Sequence, residues 1–233
     1  AKFGHTHCVG RPQVSRSEHG HLHVLLVCVR TFRNAYARWA RNQHRAYDEC
    51  VACATYASAM HVLFVCTGNI CRSPTGERLA RAYAAEAGVT GFTASSAGTR
   101  AMVGHPIEPT AARVLAGLGG DPTEFQARRM TAALASDADL ILTMTESQRD
   151  KVLAMAPARL KRTFTLREAA RLGSLADAGT VEDLAAARPR FRATEPEDVM
   201  DPMGKEENVF HEIGLEIADL LGPLLSRLRF GER

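Results

Sequence analysis

The 233-residue sequence lacks a long hydrophobic run. Its longest early one, Val24 to Val29, falls far short of the ~20 apolar residues that cross a bilayer and is too short for a signal-peptide core. This argues against a membrane partner and for the cytoplasm, where cysteines default to free thiols, metal ligands or redox groups. The formal net charge of +3 is too mild to argue for a nucleic-acid partner. No cysteine follows Cys71, and the loop that holds Cys66 and Cys71 has no second pair of ligands nearby, so a four-ligand zinc site is not expected there. The same loop has no lysine, which excludes a Walker nucleotide loop.

What is present divides unevenly. The chain is 45% apolar and 24% charged, which suits a globular protein with a core. Residues 1–59 carry eight basic and three acidic groups, whereas the rest carries 21 and 23. Six of the nine histidines, four of the six cysteines and the single tryptophan, Trp39, also precede residue 60. Residues 1–59 are therefore read as an N-terminal extension and residues 60–233 as the folded domain. Two readings of the extension stand: Met60 is the natural start and the earlier residues are upstream-translated, or they form a mostly disordered appendage. Its lone Cys50-Val-Ala-Cys53 fits no common zinc module. The echo of His61-Val-Leu-Phe-Val-Cys66 in His23-Val-Leu-Leu-Val-Cys28 stops at the cysteine and is read as coincidence. The arginines from Arg30 to Arg45 read as the solvated face of a short helix or as disordered chain.

From Met60 onward strands alternate with helices. The pattern predicts strands at His61–Val65, Thr93–Ser96, Asp139–Thr143 and Thr163–Leu166, and helices at Pro74–Gly88, Pro109–Leu118 and Glu146–Met155. Gly173 to Lys205, rich in Pro, Ala and charge, reads mainly as loop. Glu206 to Arg229 reads as a final amphipathic helix, interrupted or bent near Gly222-Pro223. This order predicts an α/β fold of three layers, with a small four-stranded parallel sheet between helices. Ligands of such sheets bind at the carboxyl ends of the strands.

The loop Cys66-Thr-Gly-Asn-Ile-Cys-Arg-Ser-Pro74 lies at such an end. Backbone N–H groups from Thr67 to Arg72 can curl into an anion-binding nest, with Gly68 supplying unusual backbone angles and Asn69 bracing the turn. Arg72 can fork two oxygens of a tetrahedral anion. The helix start at Pro74 adds its dipole. Such positive potential favours a Cys66 thiolate, to which Ser73 can donate a hydrogen bond. The pattern describes a cysteine nucleophile aimed at an anion.

Those nine residues directly after a strand resemble the signature loop of the low-molecular-weight protein tyrosine phosphatases. Ser95-Ser-Ala-Gly-Thr99, Asp139-Leu-Ile-Leu-Thr-Met144 and Asp201-Pro202 extend the likeness across residues 60–230. The resemblance implies a flavodoxin-like fold and a metal-independent, cofactor-free hydrolase acting on phosphorylated protein, as a monomer or weak homodimer. It makes Cys66 the nucleophile and Arg72 the phosphate clamp, with Thr67, Gly68, Asn69, Ile70, Cys71 and Ser73 around the phosphate. The family's general acid, the aspartate of an Asp-Pro pair, falls on Asp201. Glu197 and Asp198 are nearby alternatives without a following proline. The resemblance also gives Cys71 a redox role, forming a reversible disulfide with Cys66.

Related activities are weighed on the same residues. Thioredoxin-coupled arsenate reductases need cysteines downstream of Cys71, which this chain lacks. Protein arginine phosphatases typically carry threonine where this chain has Ile70, so phosphotyrosine is the expected substrate and phosphoarginine the alternative. A phosphoprotein-binding or redox-sensing module with little turnover is disfavoured by intact Cys66, Arg72, Ser73 and Asp201. No aromatic follows Asp201-Pro202, only Met203-Gly204, and the other pocket wall is expected from Gly104-His-Pro-Ile-Glu108.

Overall fold

A computed structural model describes residues 60–229. The readings made of residues 1–59, including Cys50-Val-Ala-Cys53, the echo at Cys28 and the arginines before Arg45, lie outside the described residues.

Strand β1 (Met60–Cys66) runs through the middle of the sheet because Val62, Leu63, Phe64 and Val65 are apolar toward both faces and wholly buried. Helix α1 (Arg72–Glu86) follows the loop, then β2 (Phe92–Gly98), α2 (Pro109–Gly117), α3 (Ala132–Asp137) and β3 (Leu140–Thr143). Next come α4 (Glu146–Met155), a 3₁₀ turn (Pro157–Arg162), β4 (Thr163–Thr165), α5 (Leu166–Leu175), α6 (Val181–Ala187) and α7 (Glu207–Arg227). The four strands are parallel, in the order β2-β1-β3-β4. This is the three-layer α/β architecture expected from the strand–helix alternation.

The chain turns from β1 to β2 on one side and later returns to β3 on the other. The crevice beyond the end of β1 is therefore a topological switch point, where α/β sheets bind ligands. One face packs Leu63, Val65 and Ile141 against Met130, Ala135, Val152 and Ala156, from α3, α4 and their flanks. On the other face, α7 packs along α1, α2 and α5. Contact there is close: a Cβ on Gly76 of α1 would lie 2.7 Å from the Phe64 ring.

Three expectations need correction. The helix predicted from Pro74 begins at Arg72, because a proline in the first turn lacks only an N–H that would have no helical partner anyway. The stretch from Gly173 to Lys205 is not mainly loop: α5 reaches Leu175, and α6 opens with a capping box in which Thr180 and Asp183 exchange bonds with each other's backbone. The signal was present in Thr180-x-x-Asp183 and in Val181, Leu184 and Ala187, which share one buried face. Finally, α7 is not interrupted near Gly222-Pro223: it continues through Pro223, with Leu221, Leu224 and Leu225 buried on either side. Among the described residues no helix is long and apolar enough to cross a membrane.

Candidate active site

Cys66 closes β1, pairing with Gly98 at the end of β2, and is buried. The loop beyond it is held from outside by its own carbonyls. Those of Cys66, Thr67, Gly68 and Ile70 accept from the backbone N–H groups of Thr99, Arg100, Met102 and Glu108 at 2.7–2.9 Å. These four bonds fix the loop backbone against the segment from Thr99 to Glu108. Asn69 donates its N–H to Cys66 Sγ at 3.2 Å, and Ser73 Oγ donates to the same sulfur at 3.0 Å. Cys71 is the N-cap of α1 and supplies no side-chain cap, so the first-turn N–H groups face the loop without a competing acceptor from that side chain.

The conformational freedom assigned to Gly68 belongs instead to Asn69, whose φ of 57° is left-handed. Asparagine tolerates that region better than other non-glycine residues, and here its side chain is fully engaged. Asn69 Nδ2 donates to Ser73 Oγ (3.0 Å) and Ser96 Oγ (2.8 Å), while Oδ1 accepts from the Arg128 N–H (2.8 Å). Ser96 passes its own hydrogen to buried Glu77 (2.6 Å), which pairs with Arg81 (2.9 Å). A continuous polar chain therefore leads from the Cys66 sulfur to the surface of α1. Gly98 lets this assembly close, because a Cβ there would lie 2.6 Å from the Thr67 carbonyl oxygen and 2.9 Å from Asn69 Cβ.

Arg72 is almost wholly buried. Its Nη1 donates to the Val199 carbonyl at 2.9 Å and its Nη2 pairs with Asp201 Oδ2 at 2.6 Å. The structure thus brings Asp201 to the loop, while the two alternative carboxylates serve elsewhere. Glu197 is clasped by Arg171, and Asp198 accepts from the Glu146 N–H at the start of α4.

Cys66, Thr67, Gly68, Ile70, Cys71, Arg72 and Asp201 line one cavity of about 400 Å³. Its other walls are Arg100, Met102 and Met203. Gly104–Glu108 does not line it: Glu108 is drawn away, capping α2 through the Ala111 N–H (2.7 Å) and holding the Ile70 carbonyl. Asn69 and Ser73 stand behind the cavity as braces. Cys66 and Cys71 are both free thiols. Burial pushes the Cys71 thiol far above the ordinary thiol range, and the neighbouring Cys66 adds to the shift.

Sequence reading missed Arg100, Met102, Gln148, Ser96 and Val199. Gln148 is buried, accepts from the Met144 and Thr145 N–H groups, and donates to Thr67 Oγ1 at 3.1 Å, tying the end of β3 to the loop. Its place as N3 of a capping box after Thr145 was legible. Val199 acts through its backbone, which no residue type announces.

A thiol cradled by a strand-to-helix anion loop, with a buried arginine and an aspartate at its mouth, defines a cysteine-dependent phosphatase architecture. The sequence model described as low molecular weight phosphotyrosine protein phosphatase matches residues 61–183, and this chain belongs to that family. The chain is 39% identical over 107 residues to a probable low molecular weight protein-tyrosine-phosphatase, EpsP, of Ralstonia nicotianae, a match covering 46% of this chain and 70% of the relative. Its fold is similar to that of a low molecular weight protein tyrosine phosphatase from T. tengcongensis, with a TM-score of 0.59 and 30% identity over 73% of this chain and all of the other. It is also similar to the YwlE arginine phosphatase, with a TM-score of 0.57 and 25% identity over 72% of this chain and 93% of the other.

Proposed function

We propose that this protein hydrolyses phosphotyrosine on proteins through a cysteinyl-phosphate intermediate. The observation that carries the reading is the 2.6 Å contact between Arg72 and Asp201 at the mouth of the cavity that holds Cys66. It brings a proton donor from far along the sequence to the loop that holds both the nucleophile and the anion clamp.

In this mechanism Cys66 Sγ attacks phosphorus, and the sulfur–phosphorus bond forms as the bond to the phenolic oxygen breaks. The loop amides from Thr67 to Arg72 and the Arg72 guanidinium hold the three equatorial oxygens. Asp201 gives its proton to the leaving oxygen, then takes one from the water that attacks the cysteinyl phosphate. Ser73, already bonded to the sulfur, stabilises it as it leaves in this second step. Before substrate arrives the Asp201 carboxylate pairs with Arg72; phosphate binding releases it toward the leaving oxygen, and it takes up a proton from solvent before donating it there. Ile70, Met102 and Met203 supply apolar walls for the phenyl ring.

Turnover of phosphotyrosine peptide by wild type, Cys66→Ser and Asp201→Ala tests this. Cys66→Ser is expected to be inactive, and Asp201→Ala to lose about 10²-fold or more; undiminished turnover in Cys66→Ser overturns the mechanism.

The likeness to YwlE favours a second reading, hydrolysis of phosphoarginine. Ile70 at the cavity opposes it, offering no hydrogen-bond partner to a guanidinium. A kcat/KM higher on phosphoarginine than on phosphotyrosine peptide would reverse the order.

A redox role for Cys71 fits its place beside Cys66. Peroxide converts the Cys66 thiol to a sulfenic acid and is reduced to water; condensation with Cys71 releases a second water and leaves a disulfide that two external thiols reduce. If Cys71→Ala recovers as fully as wild type after peroxide and dithiothreitol, this role is excluded.

A further inference from the structure

The carboxylate proposed as proton donor sits on the long connection between α6 and α7, and its side chain is 49% exposed. An exposed aspartate on a loop of that length would sample many positions, yet proton transfer in the transition state requires hydrogen-bond reach. The chain just before it is fastened residue by residue. Val199 is fully buried, gives its N–H to the Met144 carbonyl at 2.8 Å and receives Arg72 on its own carbonyl. Asp198 caps the first N–H of α4 at 2.7 Å. Glu197, itself 9% exposed, accepts two bonds from Arg171 of α5, Nε at 2.6 Å and Nη2 at 3.0 Å. Arg171 uses its remaining Nη1 on the Phe191 carbonyl at 2.6 Å, so one guanidinium grips the connection at two places.

Further back, Arg188, just after α6, is stacked 4.1 Å from the centroid of the Phe164 ring and bonded to Glu168 and the Thr163 carbonyl. The segment is therefore pinned to β4 and α5 upstream and to β3 and α4 downstream. Arg171–Glu197 is the side-chain pair nearest Asp201 in this series, and its planar, two-bond geometry fixes direction as well as distance.

We propose that Arg171 and Glu197 are positioning residues, a clasp that holds the Asp201 segment where its carboxyl reaches the leaving oxygen. The clasp acts through the backbone at Glu197 to Val199 and touches no reacting atom. It rests on the assignment of Asp201 as proton donor.

The test uses the full chain and a series of aryl phosphates from p-nitrophenyl phosphate to phenyl phosphate. A nitrophenolate departs with little help from a proton, whereas a phenolate needs one. The readout is the dependence of kcat/KM on the leaving phenol's pKa, with inhibition by inorganic phosphate as a check on the loop. Glu197→Gln and Arg171→Gln are expected to lose about 10-fold or more on phenyl phosphate, much less on p-nitrophenyl phosphate, and nothing in affinity for inorganic phosphate. The double variant is expected to be no worse than the poorer single one, because the two groups act as a unit. Asp201→Asn is the reference and should show the steepest dependence. If it does and folded Glu197→Gln keeps the wild-type dependence, or loses equally on all esters, the clasp is overturned. If Asp201→Asn is itself unchanged, the acid assignment fails instead. Should Arg171→Gln not fold, Glu197→Gln carries the test, because it keeps the side chain's shape and one acceptor.

Discussion

Arg72 and Asp201 meet at 2.6 Å, one nearly buried and the other half exposed. The guanidinium also holds the carbonyl of Val199, two residues before the aspartate. One side chain thus organises both the anion site and the chain that carries the carboxylate, which gives Arg72 a double exposure to mutation. Arg72→Lys keeps the charge but loses the planar fork. Its kcat on phosphotyrosine is expected to fall about 10²-fold or more, with KM raised as well, measured by steady-state kinetics. Retention of near wild-type kcat would show that a point charge suffices.

Asn69 combines a left-handed backbone with three side-chain hydrogen bonds, and two substitutions separate these. Asn69→Gly relieves the backbone and loses the bonds; Asn69→Ala loses both. Urea denaturation should show both variants destabilised, alanine by about 1 kcal/mol more than glycine, because Ser73, Ser96 and the Arg128 N–H lose a partner in either case. Equal midpoints for the two would mean that the backbone angle stores no strain.

Gly98→Ala places a methyl group 2.6 Å from the Thr67 carbonyl oxygen, against backbone that cannot give way without moving the loop. A stability loss of about 1–3 kcal/mol is expected. Affinity for inorganic phosphate should also fall, measured as its inhibition constant, since the shifted segment is the anion nest. Unchanged inhibition would place the relaxation on β2 instead.

The upward shift of Cys71 has a definite sign in stability. The folded protein retains a proton that the unfolded chain releases above the ordinary thiol pKa of about 8.5. This contribution is therefore fully present below about pH 8.5 and is lost as pH rises beyond it. Denaturation midpoints should decline more steeply above about pH 9 in wild type than in Cys71→Ala. Tandem mass spectrometry should find Cys71 unalkylated by iodoacetamide in the native protein at about pH 8. Parallel curves for the two proteins would remove burial of Cys71 as the cause.

The four strands, helices α1, α2, α4 and α7 and the nucleophilic loop were legible because their signals are local, whereas the short helix α3 was not read. Alternating apolar runs and punctuation from Pro74 and Gly119-Gly120 report on their own neighbours, and the spacing from Cys66 to Arg72 lies within one turn of chain. The stretch after β4 was less legible. Its Ala- and Arg-rich composition hides a short helix whose capping box at Thr180 and Asp183 is a weak signal in isolation, and whose face is buried only because the rest of the domain is there.

By itself the sequence determined the chemistry available: a thiol, an arginine and an aspartate of the types that anion attack and proton transfer require. It also determined the parallel α/β class, through its hydrophobic period. The Asp-Pro pair singled out Asp201, but only the tertiary structure set it against Arg72 and turned Glu197 to Arg171 and Asp198 to the Glu146 N–H. It also replaced Gly104–Glu108 with Arg100 and Met102 as cavity walls beside the expected Met203, and it moved the strained backbone from Gly68 to Asn69. These outcomes depend on contacts between segments up to 129 residues apart, Arg72 with Asp201 among them. Local pattern carries no information about such distances, because the burial and hydrogen bonds that settle them exist only once the sheet has brought its strand ends together.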